Sequence, residues 1–154
     1  MKIIVAIPLK SIKDPLIVSG SEYLRKLHSP FQAHAVFVDA KSQIGENRKG
    51  VRMDLEGKDL WQKTAGCFRI ALTENGKSFT SKQFADLLSR FSHQSVKLAF
   101  VVGGAFGLSD DITTKCDLAL SLSAMTLPHR LAFLLLCEQL YRAHEILRGS
   151  PYHK

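Results

Sequence analysis

Five short runs of apolar, mostly β-branched or aromatic residues recur along the chain at Ile3–Ile7, Ala35–Val38, Phe68–Leu72, Leu98–Val102 and Leu118–Leu122. Each is too short to be a helix that buries itself, and each is followed by a stretch with helical spacing: Pro15–Leu27, Gly50–Lys63, Ser81–Phe91, Ser109–Cys116 and His129–Leu147. Near-continuous apolar runs of this length read as strands covered on both faces. Regular alternation with helices predicts an α/β domain built on a largely parallel sheet. At 154 residues, dividing the chain would leave two halves of marginal core, so a single domain spanning residues 1–154 is expected.

Local chemistry marks several helix boundaries. Ser81 is placed to cap the third helix, whose Phe84, Leu87, Leu88 and Phe91 share one face. Ser109 is placed to cap the fourth, with Asp110 and Asp111 complementing its N-terminal dipole. Pro128 stands at the entry of the last helix, where its missing N–H is harmless. In that helix Leu131–Cys137 is uninterruptedly apolar and covers every side of two turns, so it must be enclosed. A central position in the chain's own core would enclose it; burial against a second copy is the reading preferred from sequence.

Composition narrows the function classes. The formal charge of +7 favours polyanionic partners, because neutralising phosphates releases counterions. The basic stretch of Lys41, Arg48, Lys49, Arg52 and Lys58 is diluted by Glu46, Asp54 and Glu56 and reads first as solvated surface. No segment is long and apolar enough to span a membrane, and Ile3–Ile7 is too short for a signal peptide. Cys67, Cys116 and Cys137 form neither a disulfide framework nor a metal-binding pair, which fits a reducing cytoplasm. The histidines have no metal-ligand spacing, and no metal is expected.

Three stretches have the residue types for chemistry. In VVGGAFGLS, Val101–Ser109, a strand runs into glycines and then a helix, which leaves backbone N–H groups open to a nucleotide-like ligand; an ordinary strand-to-helix turn has the same composition. It is neither a P-loop nor a dinucleotide fingerprint. In LSLSAMTLPH, Leu120–His129, small and hydroxyl-bearing residues between apolar Leu122, Met125 and Leu127 can wrap an adenine or ribose, or simply join strand to helix. The terminal GSPYHK, Gly149–Lys154, is either a frayed end or an RNA contact through Tyr152, His153 and Lys154. Two pocket-like loops at the C-terminal ends of adjacent-looking strands reinforce each other, since open α/β sheets bind ligands at that edge.

At these stretches the chain resembles the family of bacterial large-subunit rRNA methyltransferase H. VVGGAFGLS, LSLSAMTLPH, EQLYRAHEI and PYHK match that family's IGG-x-x-G, LS-x-x-T-x-PH, EQ-x-YRA and PYH patterns in order, and LTENGKSFTS at Leu72–Ser81 matches L-x-x-x-GK-x-x-(S/T)S. The resemblance covers essentially the whole chain. It implies a SPOUT-type fold, a mostly parallel sheet flanked by helices with a C-terminal trefoil knot, and a cytoplasmic homodimer that uses S-adenosyl-L-methionine to methylate N3 of a pseudouridine in 23S ribosomal RNA.

The same resemblance implies a cofactor site formed by Leu72, Gly103, Gly104, Leu122, Ser123, Ala124, Met125, Thr126 and Leu127, and catalytic roles for His129, Arg142, Tyr152 and His153. Glu138, one turn before Arg142, is spaced to orient it, and the tail is positioned to complete a partner's site. Ala105 and Phe106 depart from the Pro and Glu common in that family, and Thr73 from its Asp. Alternatives of other kinds are a SPOUT methyltransferase with a different RNA target and a non-catalytic ribosome-associated RNA-binding protein.

Overall fold

In the first strand, β1 (Lys2–Leu9), successive side chains enter opposite faces of the sheet. Ile3, Val5, Ile7 and Leu9 join one large apolar cluster, while Ala6 joins a smaller one on the other side. The computed structural model describes residues 1–154, the whole chain. The other strands are β2 (Gln32–Asp39), β3 (Phe68–Ser78), β4 (Leu98–Val101) and β5 (Leu118–Ser121). They form one sheet in the order β2-β1-β4-β3-β5, and every pairing is parallel. Parallel neighbours need crossovers, which are supplied by helices.

The helices are α1 (Pro15–Arg25), α2 (Lys49–Lys63), α3 (Ser81–His93), α4 (Asp110–Lys115) and α5 (His129–Leu147), with a short 3-10 turn at Glu46–Arg48. Helices α1 and α3 both pack against α5, and α2 packs against α4. The larger cluster lies with α1, α3 and α5, where Ile17 and Leu24 of α1, Phe84 and Leu88 of α3, and Phe133, Leu136 and Leu140 of α5 meet the sheet. The smaller cluster, Ala6, Val38, Leu60 and Val101, lies under α2.

This placement explains most of the all-round apolar run without a second copy. Phe133, Leu136 and Cys137 are fully buried within the chain because α5 has a helix on each side as well as the sheet beneath. Leu135 remains exposed, as do Leu16 and Val18 on the neighbouring α1.

Two local expectations are corrected. Helix α3 is capped by Thr80, not Ser81: Gln83 N–H donates to Thr80 Oγ1 at 3.2 Å, and Thr80 N–H donates to Gln83 Oε1 at 2.9 Å, a complete capping box. Ser81 Oγ instead donates to Gln139 Oε1 at 2.7 Å and ties α3 to α5. Ser109 occupies the N-cap position of α4, but its hydroxyl makes no capping bond; it is sequestered without a partner.

The largest difference is the length of β3. The polar residues Thr73–Lys77 do not look like a strand, yet the chain stays extended to Ser78 because it pairs with β5 twice. Leu72 and Lys77 both lie opposite Leu120, so residues 73–76 arch over β5 and return to it. Gly76 makes this crossing possible: a Cβ there would lie 2.5 Å from the backbone carbonyl carbon of Leu120. Because the obstacle is backbone, it cannot rotate away. Gly76→Ala should therefore cost about 1–3 kcal/mol, the usual range for overpacking. Urea unfolding of the variant measures this, and an unchanged midpoint would contradict so tight a crossing.

Candidate functional site

The C-terminal ends of β4, β3 and β5 lie side by side, in that order. The loops after β4 and β5 are therefore not direct neighbours, as expected from sequence, but flank the end of β3. Leu72 stands between them, half-buried against the core together with Leu122.

The connection from β5 to α5 is held by its own side chains. Ser121 Oγ donates to the Ser123 carbonyl at 2.9 Å, Met125 N–H donates to Ser123 Oγ at 2.9 Å, and Thr126 Oγ1 donates to Glu74 on the arch of β3 at 3.1 Å. The backbone N–H groups of Ala124, Thr126 and Leu127 donate to no group of the chain. Met125 is 77% exposed, an unusual state for an apolar side chain in a loop this well tied down. Apolar walls at Leu72, Leu122, Met125 and Leu127 beside free amides match what an adenine nucleoside needs from a protein.

The two glycines of the β4 loop have a different reason to be there. A side chain at Gly103 would run into the backbone of Gly107 and Leu108, across the tight turn closed by Gly107 N–H donating to the Gly104 carbonyl at 3.1 Å. The space beside Gly104 is filled by the carboxylate of Glu56, a residue only 2% exposed on α2. The sequence reading treated both as room left for a ligand. The chain itself takes that room, and what remains for a ligand is the Gly103 N–H, which has no partner in the chain, since Gly104 is bridged to Gly107.

Glu56 was read from sequence as a diluting surface charge, and nothing in its neighbours announced otherwise. Folding buries it as an acceptor for Lys41 N–H at 3.0 Å and Arg52 Nε at 2.8 Å. A buried carboxylate is tolerated only with such partners. The bond in turn fixes Arg52, whose guanidinium lies 5.2 Å from the Phe106 ring centroid. The basic stretch is thus divided: Lys41 is neutralised by Asp39 and Asp59, while Arg52 is held at the site.

His129 begins α5, directly after the β5 loop, and faces the same edge. Burial, reinforced by the adjacent Arg130 guanidinium, holds its imidazole below the usual histidine range, only partly opposed by Glu56. It is therefore neutral near pH 7 and able to accept a proton.

Arg142, Tyr152 and His153 gather elsewhere. Arg142 donates to one oxygen of Glu138 through Nε at 2.9 Å and Nη2 at 2.6 Å, the spacing expected for i, i+4 orientation. Tyr152 Oη donates to the same oxygen at 3.1 Å, its ring packs edge-on against Tyr141, and the Arg142 guanidinium lies 4.8 Å from its centroid. Burial, with the Tyr23 hydroxyl and the Glu138 carboxylate beside it, pushes the Tyr152 hydroxyl up to about 12. The tail is thus pinned to α5 through Tyr152 and is no frayed end. His153 Nδ1 is sequestered without a partner. Thirteen residues of helix separate His129 from Arg142, about 20 Å at 1.5 Å per residue. One chain accordingly brings His129 to the loops but not Arg142 or the Tyr152 packed against it.

A chain of this sequence and fold has counterparts among known proteins. The family model described as "Predicted SPOUT methyltransferase" matches residues 1–153. The ribosomal RNA large subunit methyltransferase H of Carboxydothermus hydrogenoformans is 37% identical, over 98% of this chain and 99% of the relative. That of Syntrophotalea carbinolica is 46% identical, over 85% of this chain and 90% of the relative. The chain belongs to the SPOUT methyltransferase family, within the group that includes the ribosomal RNA large subunit methyltransferases H. Among solved structures, a probable methylase family protein from Haemophilus influenzae Rd KW20 superposes with a TM-score of 0.63 at 17% identity, covering 99% of this chain and 70% of that one. TrmJ from Z. mobilis ZM4 gives 0.51 at 13% identity, covering 92% and 68%. At such identities these two likenesses concern the fold alone. No helix is long and apolar enough to cross a membrane.

The depressed His129 pKa makes a directional prediction. Its folded value lies below the unfolded value near 6.5, so the unfolded chain takes up the proton first as pH falls. Stability from the neutral ring is complete above that value and is lost as pH drops toward the folded one. His129→Gln should therefore lose less stability than the parent between about pH 7.5 and about pH 5.5. Urea unfolding at several pH values reads this, and parallel curves would count against it.

Proposed function

We propose that this chain is an RNA-methylating enzyme that transfers the methyl group of S-adenosyl-L-methionine to N3 of a pseudouridine in 23S ribosomal RNA. The observation that carries the reading is kinship across the whole chain with proteins named ribosomal RNA large subunit methyltransferase H, together with intact donor-type loops at Leu72, Gly103–Gly104 and Leu122–Leu127. The setting is the cytoplasm, where ribosomes and three free cysteines are both at home.

When bound, S-adenosyl-L-methionine supplies a methyl group already activated by its sulfonium. The chain's residues must then position the acceptor and manage one proton. Leu72, Leu122, Met125 and Leu127 wall the adenine, and the free amides of Ala124, Thr126 and Leu127 recognise its edge and the ribose. His129, neutral at working pH, accepts the N3 proton, while Arg52 stabilises negative charge on the ring.

The working unit is a homodimer. Arg142 stands about 20 Å along α5 from His129 in one chain, and Glu138 holds it together with Tyr152, which supports their serving, with the adjacent His153, the site of a second copy. The exposed Leu16, Val18 and Leu135 on adjacent helices supply apolar surface for that contact. The double pairing of Leu120 by Leu72 and Lys77 supports a threaded C-terminal segment, the trefoil knot, against the general rule for connections.

Large ribosomal subunits that carry the unmethylated pseudouridine, incubated with labelled donor, should acquire label at that nucleotide; label elsewhere, or none, would redirect or overturn the assignment. Donor alone should raise the melting temperature, and Ala124→Arg, at an exposed loop position, should remove the rise. Composite sites also predict complementation. His129→Ala and Arg142→Ala, each inactive alone, should regain activity when co-expressed, because one site of the mixed dimer then has both residues. No recovery would mean that each chain acts with its own residues.

A further inference from the structure

A cleft of about 540 Å3 opens beside the donor loops, between the ends of β1 and β2 and the first turns of α1 and α5. Of the residues lining it only Leu9 and Ala40 are apolar, so it lacks the walls an adenine requires. Lys10, Lys13, Arg52 and Arg130 all face it, and His129 stands at its edge. Such a concentration was invisible in sequence, since these cations come from three separate segments.

Two of the cations are held in place by carboxylates. Arg130 Nη1 lies 2.6 Å from Asp14 Oδ2, and Asp14 is itself fixed by capping α1, accepting Leu16 N–H at 3.0 Å. Arg52 is held by buried Glu56 at 2.8 Å. Lys10 and Lys13 are exposed and form no ion pair, which leaves them free for an incoming anion. Four cations against two carboxylates keep the cleft positive, and the Ser11 and Ser42 hydroxyls add neutral hydrogen-bonding groups.

We propose that this cleft seats the phosphodiester backbone of the RNA beside the methylated nucleotide, with Lys10, Lys13 and Arg130 on phosphates. The inference rests on the RNA-methylation reading above. The donor is a poor occupant, because its sulfonium and ammonium would face a positive wall. A polyanion fits: each phosphate neutralised releases counterions, and phosphate contacts fix register without reading sequence. A strand anchored there passes His129, which borders both the cleft and the Leu122–Leu127 loop, so the anchoring positions the base for the reaction.

The test pairs Lys10→Ala/Lys13→Ala with a control, Lys82→Ala/Lys97→Ala, which removes the same charge from exposed positions on the far segments of the chain. Binding of a fluorescein-labelled single-stranded RNA is followed by anisotropy across a salt series, and S-adenosyl-L-methionine binding by calorimetry. The cleft variant should bind RNA several-fold more weakly, with the slope of log affinity against log salt reduced by about 0.7 for each lysine lost. Donor affinity and the control's slope should stay at parent values. An unchanged slope, or an equal loss in the control, overturns the proposal, and so does donor affinity falling in step with RNA affinity. Methyl transfer is measured separately. A parent protein that binds RNA through the cleft yet transfers no label would defeat the methylation reading alone, whereas active transfer with an unaltered slope would defeat the cleft alone.

Discussion

The site depends on one backbone crossing, the arch of Thr73–Gly76 over Leu120. Parallel pairing on both sides of that arch locks the end of β5 against β3 and sends the chain into the loop that precedes α5. Thr126 then returns to Glu74 on the arch, so the loop is tied to the strand that straddles it. Free amides in a loop are ordinarily mobile and hydrated. Here the cost of ordering them is met during folding, before any ligand arrives, which is the meaning of preorganisation at a binding site.

A second dependence is electrostatic. Buried Glu56 fills the space at Gly104, accepts the backbone N–H of Lys41 and orients Arg52, so one carboxylate joins α2, the end of β2 and the β4 loop. Asp14 does similar duty for Arg130 while capping α1. Both carboxylates reduce the net charge around the cleft, yet each leaves an arginine in a defined place. Lys10 and Lys13 are unpaired and supply charge without geometry. An anion-binding surface made of both kinds combines positioning with long-range attraction.

Helix α5 carries both groups of candidate residues. Its first residue meets the loops, and Glu138, Arg142 and Tyr152 make a separate ordered group further along. A single helix cannot bring its two ends together, so the spacing of these residues is itself an argument for a site shared between copies. The apolar run Leu131–Cys137 is a weaker argument than its composition suggests, because α1 and α3 already enclose most of it.

The sheet, its parallel sense and the helices were legible because they rest on local pattern and on residues near one another in the chain: the unbroken apolar run Ile3–Ile7, the helical face of Phe84–Phe91, the i, i+4 pair of Glu138 and Arg142. The loops at Gly103–Gly104 and Leu122–Leu127 were legible as motifs. The strand order, the extension of β3 through a polar segment, the burial of Glu56 and the gathering of Lys10, Lys13, Arg52 and Arg130 into one cleft were not. Each depends on partners separated by tens of residues, and neither propensity nor local spacing carries information about which distant backbone will supply a hydrogen bond or which distant carboxylate will compensate a buried charge.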